Sequence, residues 1–209
     1  MRKILLILAF AIGITASAYD GVSKLFLEES SGLFAPLQLS MRYELLNNYG
    51  RADASEVLNS LRTTESRILK LENDYMVIAT SAGRTVEMKL LPKSKKDTVI
   101  AVIETVATPY KDSRLTFYDT KWNRLDASQF IKKMPDIDDF IRTNAPKILR
   151  EDLLSGISFA MIEMTFQGNS MVATCNLKDF YLGQDFKKME PYLTGKIVYA
   201  IDKSKFKKQ

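Results

Sequence analysis

A change to period-two patterning between residues 66 and 119 constrains the fold more than any other feature of the chain. Val86, Met88 and Leu90 alternate with polar residues, as in a strand that buries one face. The segments DYMVIATS and TVIAVIETVA are more continuously apolar, as in central strands, and SRLTFYD follows them. Because short turn-like segments separate these runs, we predict an antiparallel β-meander of about five strands.

Helical patterns precede the meander. Residues 40–49 are predicted to form a helix that ends at Gly50. Asp53 and Glu56 resemble a capping box, and apolar residues at helical spacing continue from there to Leu61. The meander is therefore expected to pack against N-terminal helices.

The second half repeats helices and then strands. Asp136 and Pro146 are predicted to begin helices, and the segments GISFAMIEMTF and SMVATCNL to form strands. A further helix and the strand KIVYAID follow. The order predicts an α+β fold, in which a meander packed by N-terminal helices is followed by a second helix-then-strand half.

Domain organisation follows from length and composition. Residues 19–209 suit one domain with a sizeable core, and the low counts of 9 glycines and 6 prolines argue against a disordered chain. No linker-like segment interrupts the middle. We predict a single α+β domain. Two similar halves, about 19–125 and 126–209, could share its sheet system.

The first 18 residues have the features of a signal peptide. Arg2 and Lys3 precede an apolar run over residues 4–14, which is shorter than the roughly 20 residues of a membrane-spanning helix. The run ends at Ala16-Ser17-Ala18, a small-x-small cleavage pattern. We predict export to the periplasm or the exterior with cleavage after Ala18; an uncleaved anchor is the alternative.

The chain has no histidine and a single cysteine, Cys175. Histidine-dependent nucleophilic catalysis and the usual zinc sites are therefore excluded, and no internal disulfide can form. A lone Cys in a β-prone segment is typically an inert, buried thiol. We predict no cofactor and no metal site.

The positive charge is concentrated in two places. Removing Arg2 and Lys3 lowers the formal net charge from +5 to +3. Much of the rest comes from a loop and from the C-terminal tail: Lys93, Lys95, Lys96, Lys203, Lys205, Lys207 and Lys208. This distribution favours an anionic envelope component or another envelope protein over nucleic acid as the partner.

The C-terminal tail after the strand KIVYAID contains one apolar residue, Phe206, among four lysines. So little apolar surface does not offset the entropy of ordering the segment. We therefore expect residues 203–209 to be mobile or only lightly docked, with their charges free.

The segments LENDYMVIATSAGRTVEMKLLP, TPYKDSRLTFYDTKWNRL and PYLTGKIVYAID resemble the domain of unknown function 3256 family. These are exported proteins of Gram-negative gut and oral anaerobes. The resemblance extends over nearly the whole mature chain and implies export and a Gram-negative envelope. It brings no known catalytic residues.

One candidate binding site is an aromatic and basic cluster around the end of the meander: Tyr110, Tyr118, Lys121, Trp122 and Arg124. Such a cluster could stack on a sugar or a peptide. Aromatic residues at strand ends more often complete a core, and we expect the ring of Trp122 to be mostly buried.

Glu104 and Glu163 interrupt apolar strands, and as a pair they could serve a glycosidase. The favoured interpretation is that both face solvent or pair with a Lys or Arg across the sheet. The DIDDF segment at residues 136–140 does not match an EF-hand loop and is better explained as a helix N-terminus.

These observations predict a non-enzymatic binding or interaction protein of the cell envelope. The alternative is a carboxylate-dependent hydrolase that acts on a glycan through Glu104 and Glu163.

Cleavage after Ala18 can be tested directly. Mass spectrometry of the exported protein should find Tyr19 as the N-terminal residue, because the small-x-small motif ends at Ala18. An intact chain that begins at Met1 and fractionates with membranes would contradict the prediction.

Overall fold

The structure is a computed structural model of the 209-residue chain. It describes residues 19–51, 56–58, 64–95, 97–107, 109–156, 161–179 and 184–209. The predicted signal peptide and its cleavage site lie outside these residues. Within them, every helix is too short or too polar to cross a membrane.

Seven strands form one antiparallel sheet whose spatial order follows the order in the chain. They are β1 (Glu56–Leu58), β2 (Glu65–Leu71), β3 (Tyr75–Ser81), β4 (Arg84–Pro92), β5 (Thr98–Ala107), β6 (Lys111–Tyr118) and β7 (Arg124–Leu125). Every connection joins neighbouring strands, so the whole sheet is a meander.

A second antiparallel sheet has four strands in the order β11-β10-β9-β8. They are β8 (Ile162–Gln167), β9 (Ser170–Cys175), β10 (Ile197–Asp202) and β11 (Lys205–Lys208). The α-helices are α1 (Gly21–Leu27), α2 (Leu39–Asn48), α3 (Lys147–Gly156) and α4 (Gln184–Met189). Short 3-10 helices span Ala127–Gln129, Ile137–Phe140, Leu177–Asp179 and Glu190–Tyr192.

The large sheet is the middle of three layers, and its inner strand β5 packs against both of the other layers. Ile100 and Val102 pack with the cluster formed by α1 and α2, whereas Val99, Ala101 and Ile103 pack toward the second sheet. Alternate residues of one strand thus serve two cores. This explains why the segment TVIAVIETVA is apolar at most positions instead of only at alternate ones.

The predicted fold class, α+β with an antiparallel meander packed by N-terminal helices, is confirmed. The meander has seven strands instead of about five, because the edge strands β1 and β7 have only three and two residues and show no readable period. The helix predicted from Asp53 is wrong at Glu56–Leu58, which forms β1. There, Val57 is buried and pairs with Ser66, so tertiary pairing overrides the local helical spacing. The other residues of that predicted helix, 53–55 and 59–61, lie outside the described part of the chain.

Helix α1 is fastened to the large sheet at two points. Gly21 has a φ of +52°, and a Cβ there would lie 2.1 Å from the Asn73 carbonyl oxygen, so glycine is required. The N–H of Val22 donates to the same oxygen at 2.8 Å. The indole N–H of Trp122 donates to the Leu25 carbonyl at 3.1 Å. Trp122 is 4% exposed, which confirms its expected burial.

A buried arginine organises the loop between α1 and α2. The guanidinium of Arg42 pairs with Glu29 at 3.0 Å and donates to the carbonyls of Leu37 at 2.9 Å and Phe26 at 3.1 Å. It also lies 5.8 and 5.7 Å from the ring centroids of Phe26 and Phe34. A buried charge with several partners avoids the cost of an unpaired one.

The Glu29 carboxylate, which pairs with Arg42, also accepts several hydrogen bonds. Glu29 accepts hydrogen bonds from the Ser31 hydroxyl at 2.7 Å and from the Leu33 N–H at 3.0 Å. Burial by itself raises the pKa of Glu29, but these hydrogen bonds and the charge of Arg42 outweigh it and hold the pKa below its ordinary value. The network therefore stabilises the fold above the ordinary pKa of a glutamate, and this contribution is lost as the pH falls through the lowered value.

Side chains of the large sheet meet the edge of the second sheet at β8. The N–H of Met164 donates to the Ser113 hydroxyl at 2.9 Å, and the N–H of Phe166 donates to Glu87 Oε2 at 2.9 Å. The Tyr75 hydroxyl donates to that oxygen at 2.7 Å. Burial, followed by the Glu87 carboxylate, raises the pKa of Tyr75, so the hydroxyl stays a donor. The edge is thus covered, and the two sheets are joined by hydrogen bonds.

The expectation of a mobile tail is wrong. Lys205–Lys208 is β11, and Phe206 is 4% exposed, with its ring centroid 5.5 Å from that of Phe117. The N–H of Phe206 donates to the Phe130 carbonyl at 2.8 Å. The two-residue turn places Lys203 at a φ of +56°, a conformation that glycine normally supplies in a hairpin. A Lys-Ser pair carries no turn signal, so the hairpin could not be recognised.

Phe206→Ala should lower the free energy of unfolding by roughly 3–5 kcal/mol, because it empties an aromatic position in the core. The matched control is Lys207→Ala, which removes an exposed side chain of the same strand and should cost less than about 1 kcal/mol. Urea denaturation of both variants measures the difference. Equal, small losses would show that the tail is only lightly docked.

Candidate functional site

A cleft with a volume of about 790 Å³ lies at one end of the second sheet. The tip of the β5–β6 hairpin, the adjacent ends of β8 and β9, and residues 190–195 surround it. Its lining includes Tyr110, Arg142, Cys175, Asn176, Phe186 and Leu193. The volume is in the range of small-molecule sites.

Arg142 supplies a fixed positive charge to this cleft. Its N–H donates to the Tyr192 carbonyl at 2.8 Å, and its side-chain Nε donates to the Leu193 carbonyl at 3.1 Å. An isolated β-bridge between Ile141 and Leu193 holds the two segments together. No carboxylate among the described residues forms an ion pair with Arg142. The remaining guanidinium N–H groups are therefore available to an anionic group.

The cleft also contains acidic groups. Glu163 pairs with Lys111 at 2.7 Å, which neutralises both charges. Asp179 and Glu190 are exposed, and neither has an ion-pair partner in the described ranges. Besides this ion pair, charges of both signs line the cleft.

Asn176 is a further polar group in the lining. Its Oδ1 accepts a hydrogen bond from the Met161 N–H at 2.8 Å, which fixes the side chain. Its Nδ2 is buried and has no hydrogen-bond partner among the described residues. Unsatisfied buried donors are uncommon in folded proteins, so this amide marks a position where an acceptor would be stabilised.

Cys175 lies half-buried in the same lining. Burial raises the pKa of its thiol to about 11, even though the backbone N–H groups of Leu177 and Asn176 act in the opposite direction. The thiol is therefore protonated at neutral pH and is a poor nucleophile. This agrees with the inert cysteine predicted from the sequence.

The structure separates the aromatic and basic residues that were grouped in the sequence. Tyr110 lines the cleft. Tyr118 is 9% exposed and lies with its ring centroid 5.3 Å from that of Trp122, in the core under the helices. Lys121 and Arg124 are exposed at the opposite end of β6. The alternation along β6 turns Tyr118 toward α1, so the five residues do not share one surface.

Glu104 and Glu163 do not form a catalytic pair in the cleft. Glu104 pairs with Arg84 at 2.6 Å and with its cross-strand neighbour Arg114 at 3.3 Å, and it is not part of the cleft lining. Glu163 pairs with Lys111. The interpretation that both residues pair with basic side chains is confirmed.

The DIDDF segment is a helix N-terminus, as predicted. The Asp136 side chain accepts hydrogen bonds from the Ile137 N–H and the Asp139 N–H, and the Asp139 side chain accepts one from the Asp136 N–H at 3.0 Å. The last two bonds form a capping box. In the part of the chain that the structure describes, no group of His, Cys, Asp or Glu is arranged to hold a metal ion.

Sequence reasoning missed the residues that define the cleft, including Arg142, Asn176 and Phe186. They come from three separate segments of the second half and carry no shared motif. A donor without a partner or an arginine without a carboxylate is visible only once the chain is folded.

A family model described as "Protein of unknown function (DUF3256)" matches residues 15–206. No curated protein matches the sequence significantly. A solved structure of a domain of an uncharacterized protein from Porphyromonas gingivalis W83 is similar, with a TM-score of 0.76 and 21% identity. The similarity covers 91% of this chain and 99% of that one, and at this identity it shows the fold alone.

The raised pKa of Cys175 predicts slow alkylation. At pH 8 the thiolate fraction should be roughly a hundredfold lower than for an ordinary cysteine, so iodoacetamide should react correspondingly more slowly than with N-acetylcysteine. The rate should keep rising with pH up to about 11. A rate that levels off near pH 8 would show an activated thiol instead.

Proposed function

The chain belongs to the family described as protein of unknown function (DUF3256), and from its own geometry we propose a non-enzymatic binding protein of the cell envelope. The cleft beside the second sheet holds the ligand. The observation that carries this proposal is the Arg142 guanidinium, which is oriented by the Leu193 carbonyl while no described carboxylate neutralises it. An anionic group on a ligand would complete its hydrogen bonds.

The ligand class follows from the rest of the lining. Asp179 and Glu190 also line the cleft and offer negative charge, and Phe186 and Leu193 offer apolar contact. A small molecule with a carboxylate and an ammonium group, separated by an uncharged middle, matches this pattern. Short peptides with free termini belong to this class, and the cleft volume accommodates a few residues.

The tail lysines, which the sequence suggested as the anion-binding group, have partners within the protein. Lys207 pairs with Asp202 at 3.1 Å, Lys208 pairs with Asp139 at 2.8 Å, and Lys205 donates to the Gln129 carbonyl. Their charges are partly compensated by these partners. We therefore propose Arg142, instead of the tail lysines, as the residue that contacts the anion.

The envelope location proposed for the protein rests on the signal-peptide pattern of residues 1–18. The hydrolase alternative finds less support, because Glu104 and Glu163 are each held in an ion pair with a basic residue.

Titration of the isotopically labelled protein with tetra-alanine tests the proposal. Free-terminus tetra-alanine should shift the amide resonances of Arg142, Asn176 and Gly195, because its carboxylate contacts Arg142 in the cleft. The same peptide with acetylated and amidated ends lacks both charges and should bind at least tenfold more weakly.

Arg142→Gln should weaken the binding of tetra-alanine about tenfold or more, since it removes the charge-assisted hydrogen bonds. The matched control is Lys132→Gln, which removes an exposed positive charge that does not line the cleft. Equal binding by both variants, or shifts that map away from the cleft, would refute the proposed site.

A further inference from the structure

The end of β9 extends past the start of β10 and leaves part of its backbone without a strand beside it. β9 runs to Cys175, but the ladder between β9 and β10 stops at the pair of Ala173 and Ile197. On its other side, β9 stays paired with β8 as far as Cys175, which lies opposite Ile162. Cys175 is therefore held in an extended strand that has a neighbouring strand on one side only among the described residues.

The hydrogen bonds of β10 show which way the backbone groups of Cys175 point. The N–H of Gln209, which follows β11, donates to the Val198 carbonyl at 2.9 Å, so Val198 points toward β11. In an antiparallel ladder successive residues point to opposite sides, and Ile197 therefore points toward β9. Its partner Ala173 points toward β10 in turn, and so does Cys175, two residues further along β9.

The next residue along the chain confirms this direction. The backbone of Asn176 points toward β8, because its N–H donates to the Met161 carbonyl at 3.3 Å. Its neighbour Cys175 therefore points the other way. No backbone hydrogen bond joins the N–H or the C=O of Cys175 to any described residue. One donor and one acceptor are thus directed away from β8 without a main-chain partner in the described chain.

The cleft that contains Arg142 lies where a longer β10 would continue. Gly195 is the residue that would face Cys175 if β10 began two residues earlier, and both residues line the cleft. Cys175 is half-buried and Gly195 is exposed. A Cβ added to Gly195 would have no heavy atom within 4 Å, so the space beside this residue is open. The two unpaired groups of Cys175 are therefore accessible from the cleft.

These two groups match the backbone of a peptide. In an antiparallel pair, two opposite residues can exchange both N–H···O=C bonds, so one peptide residue satisfies the N–H and the C=O of Cys175 together. A zwitterion with an alkyl middle has neither group. The contact involves only uncharged main-chain atoms, so it does not depend on the charged side chains around the cleft. The thiol of Cys175 takes no part in it.

We infer that the cleft binds a peptide through its main chain, as a short continuation of the second sheet beside β9. An internal residue of the peptide exchanges two hydrogen bonds with Cys175, while the C-terminal carboxylate contacts Arg142. This inference rests on the proposed function and narrows the ligand from any small zwitterion to a peptide. Because the two added bonds involve only main-chain atoms, they do not depend on the sequence of the peptide.

Three ligands with the same charged ends test the inference: tetra-alanine, a depsipeptide of equal length whose internal amide N–H groups are replaced by ester oxygens, and an aminoalkanoic acid with the same number of chain atoms. Tetra-alanine should bind about tenfold more tightly than either of the others. The depsipeptide cannot donate to the Cys175 carbonyl, and the aminoalkanoic acid has no peptide groups at all.

Hydrogen exchange reports on the same contact. At saturation with tetra-alanine, exchange of the Cys175 N–H should slow about tenfold or more, because this group becomes paired. The matched control is the neighbouring Asn176 N–H, which is already bonded to the Met161 carbonyl and should change by less than about threefold.

Two variants at one position separate the backbone from the side chain. Cys175→Pro removes the N–H and should weaken the binding of tetra-alanine about tenfold or more. Cys175→Ala keeps the N–H, removes the thiol and should leave binding within about twofold. Proline is tolerated where the N–H is outside the ladder, and melting temperatures show whether each variant is folded. If Cys175→Pro does not fold, the three ligands decide.

The outcomes distinguish this inference from the proposed function. Equal binding by the three ligands, each weakened by Arg142→Gln, would overturn the main-chain contact and leave the proposed function intact. An unchanged exchange rate of the Cys175 N–H in the tetra-alanine complex would do the same. Binding of tetra-alanine that Arg142→Gln does not affect would overturn the proposed function, and this inference with it.

Discussion

The hydrogen bonds that Ser113 and Glu87 accept from the edge strand β8 are the interactions on which the rest of the structure depends. They join the two sheets through directional contacts of 2.9 Å each, where apolar packing alone would allow one sheet to slide over the other. The Tyr75 hydroxyl donates a hydrogen bond to Glu87, and the Tyr75 ring packs edge-on against Phe166. The register of the second sheet against the first is set in this way, and with it the position of the cleft.

Buried charged side chains elsewhere in the protein also have partners. Arg42 is paired and lies beside two aromatic rings, and Lys89 lies 3.3 Å from Asp74 and over the ring of Tyr75. Because buried charges are costly unless they are paired, these residues serve the fold. Arg142, by contrast, is exposed at the cleft and has no ion pair among the described residues. The proposed binding site therefore uses a charge that no described carboxylate compensates.

Two residues in left-handed conformations mark where the fold overrides local preference. Trp122, with a φ of +64°, closes the turn before β7, and its burial and its hydrogen bond to Leu25 stabilise a conformation that its side chain disfavours. Lys203 closes the hairpin before β11, which Phe206 fixes in the core. In both cases long-range packing compensates for a turn that the local sequence does not favour.

The sequence by itself determined the fold class, because the strand-like segments between residues 66 and 119 and the capping aspartate Asp136 act through neighbours in the chain. The absence of histidine likewise excluded whole classes of chemistry. Only the tertiary structure decided that Glu56–Leu58 is a strand, that Phe206 belongs to the core, and that Arg142, Asn176 and Phe186 line one cleft. The physical reason is that edge pairing, compensation of charge and the assembly of a cleft depend on residues far apart in sequence, and no local pattern records which of them meet.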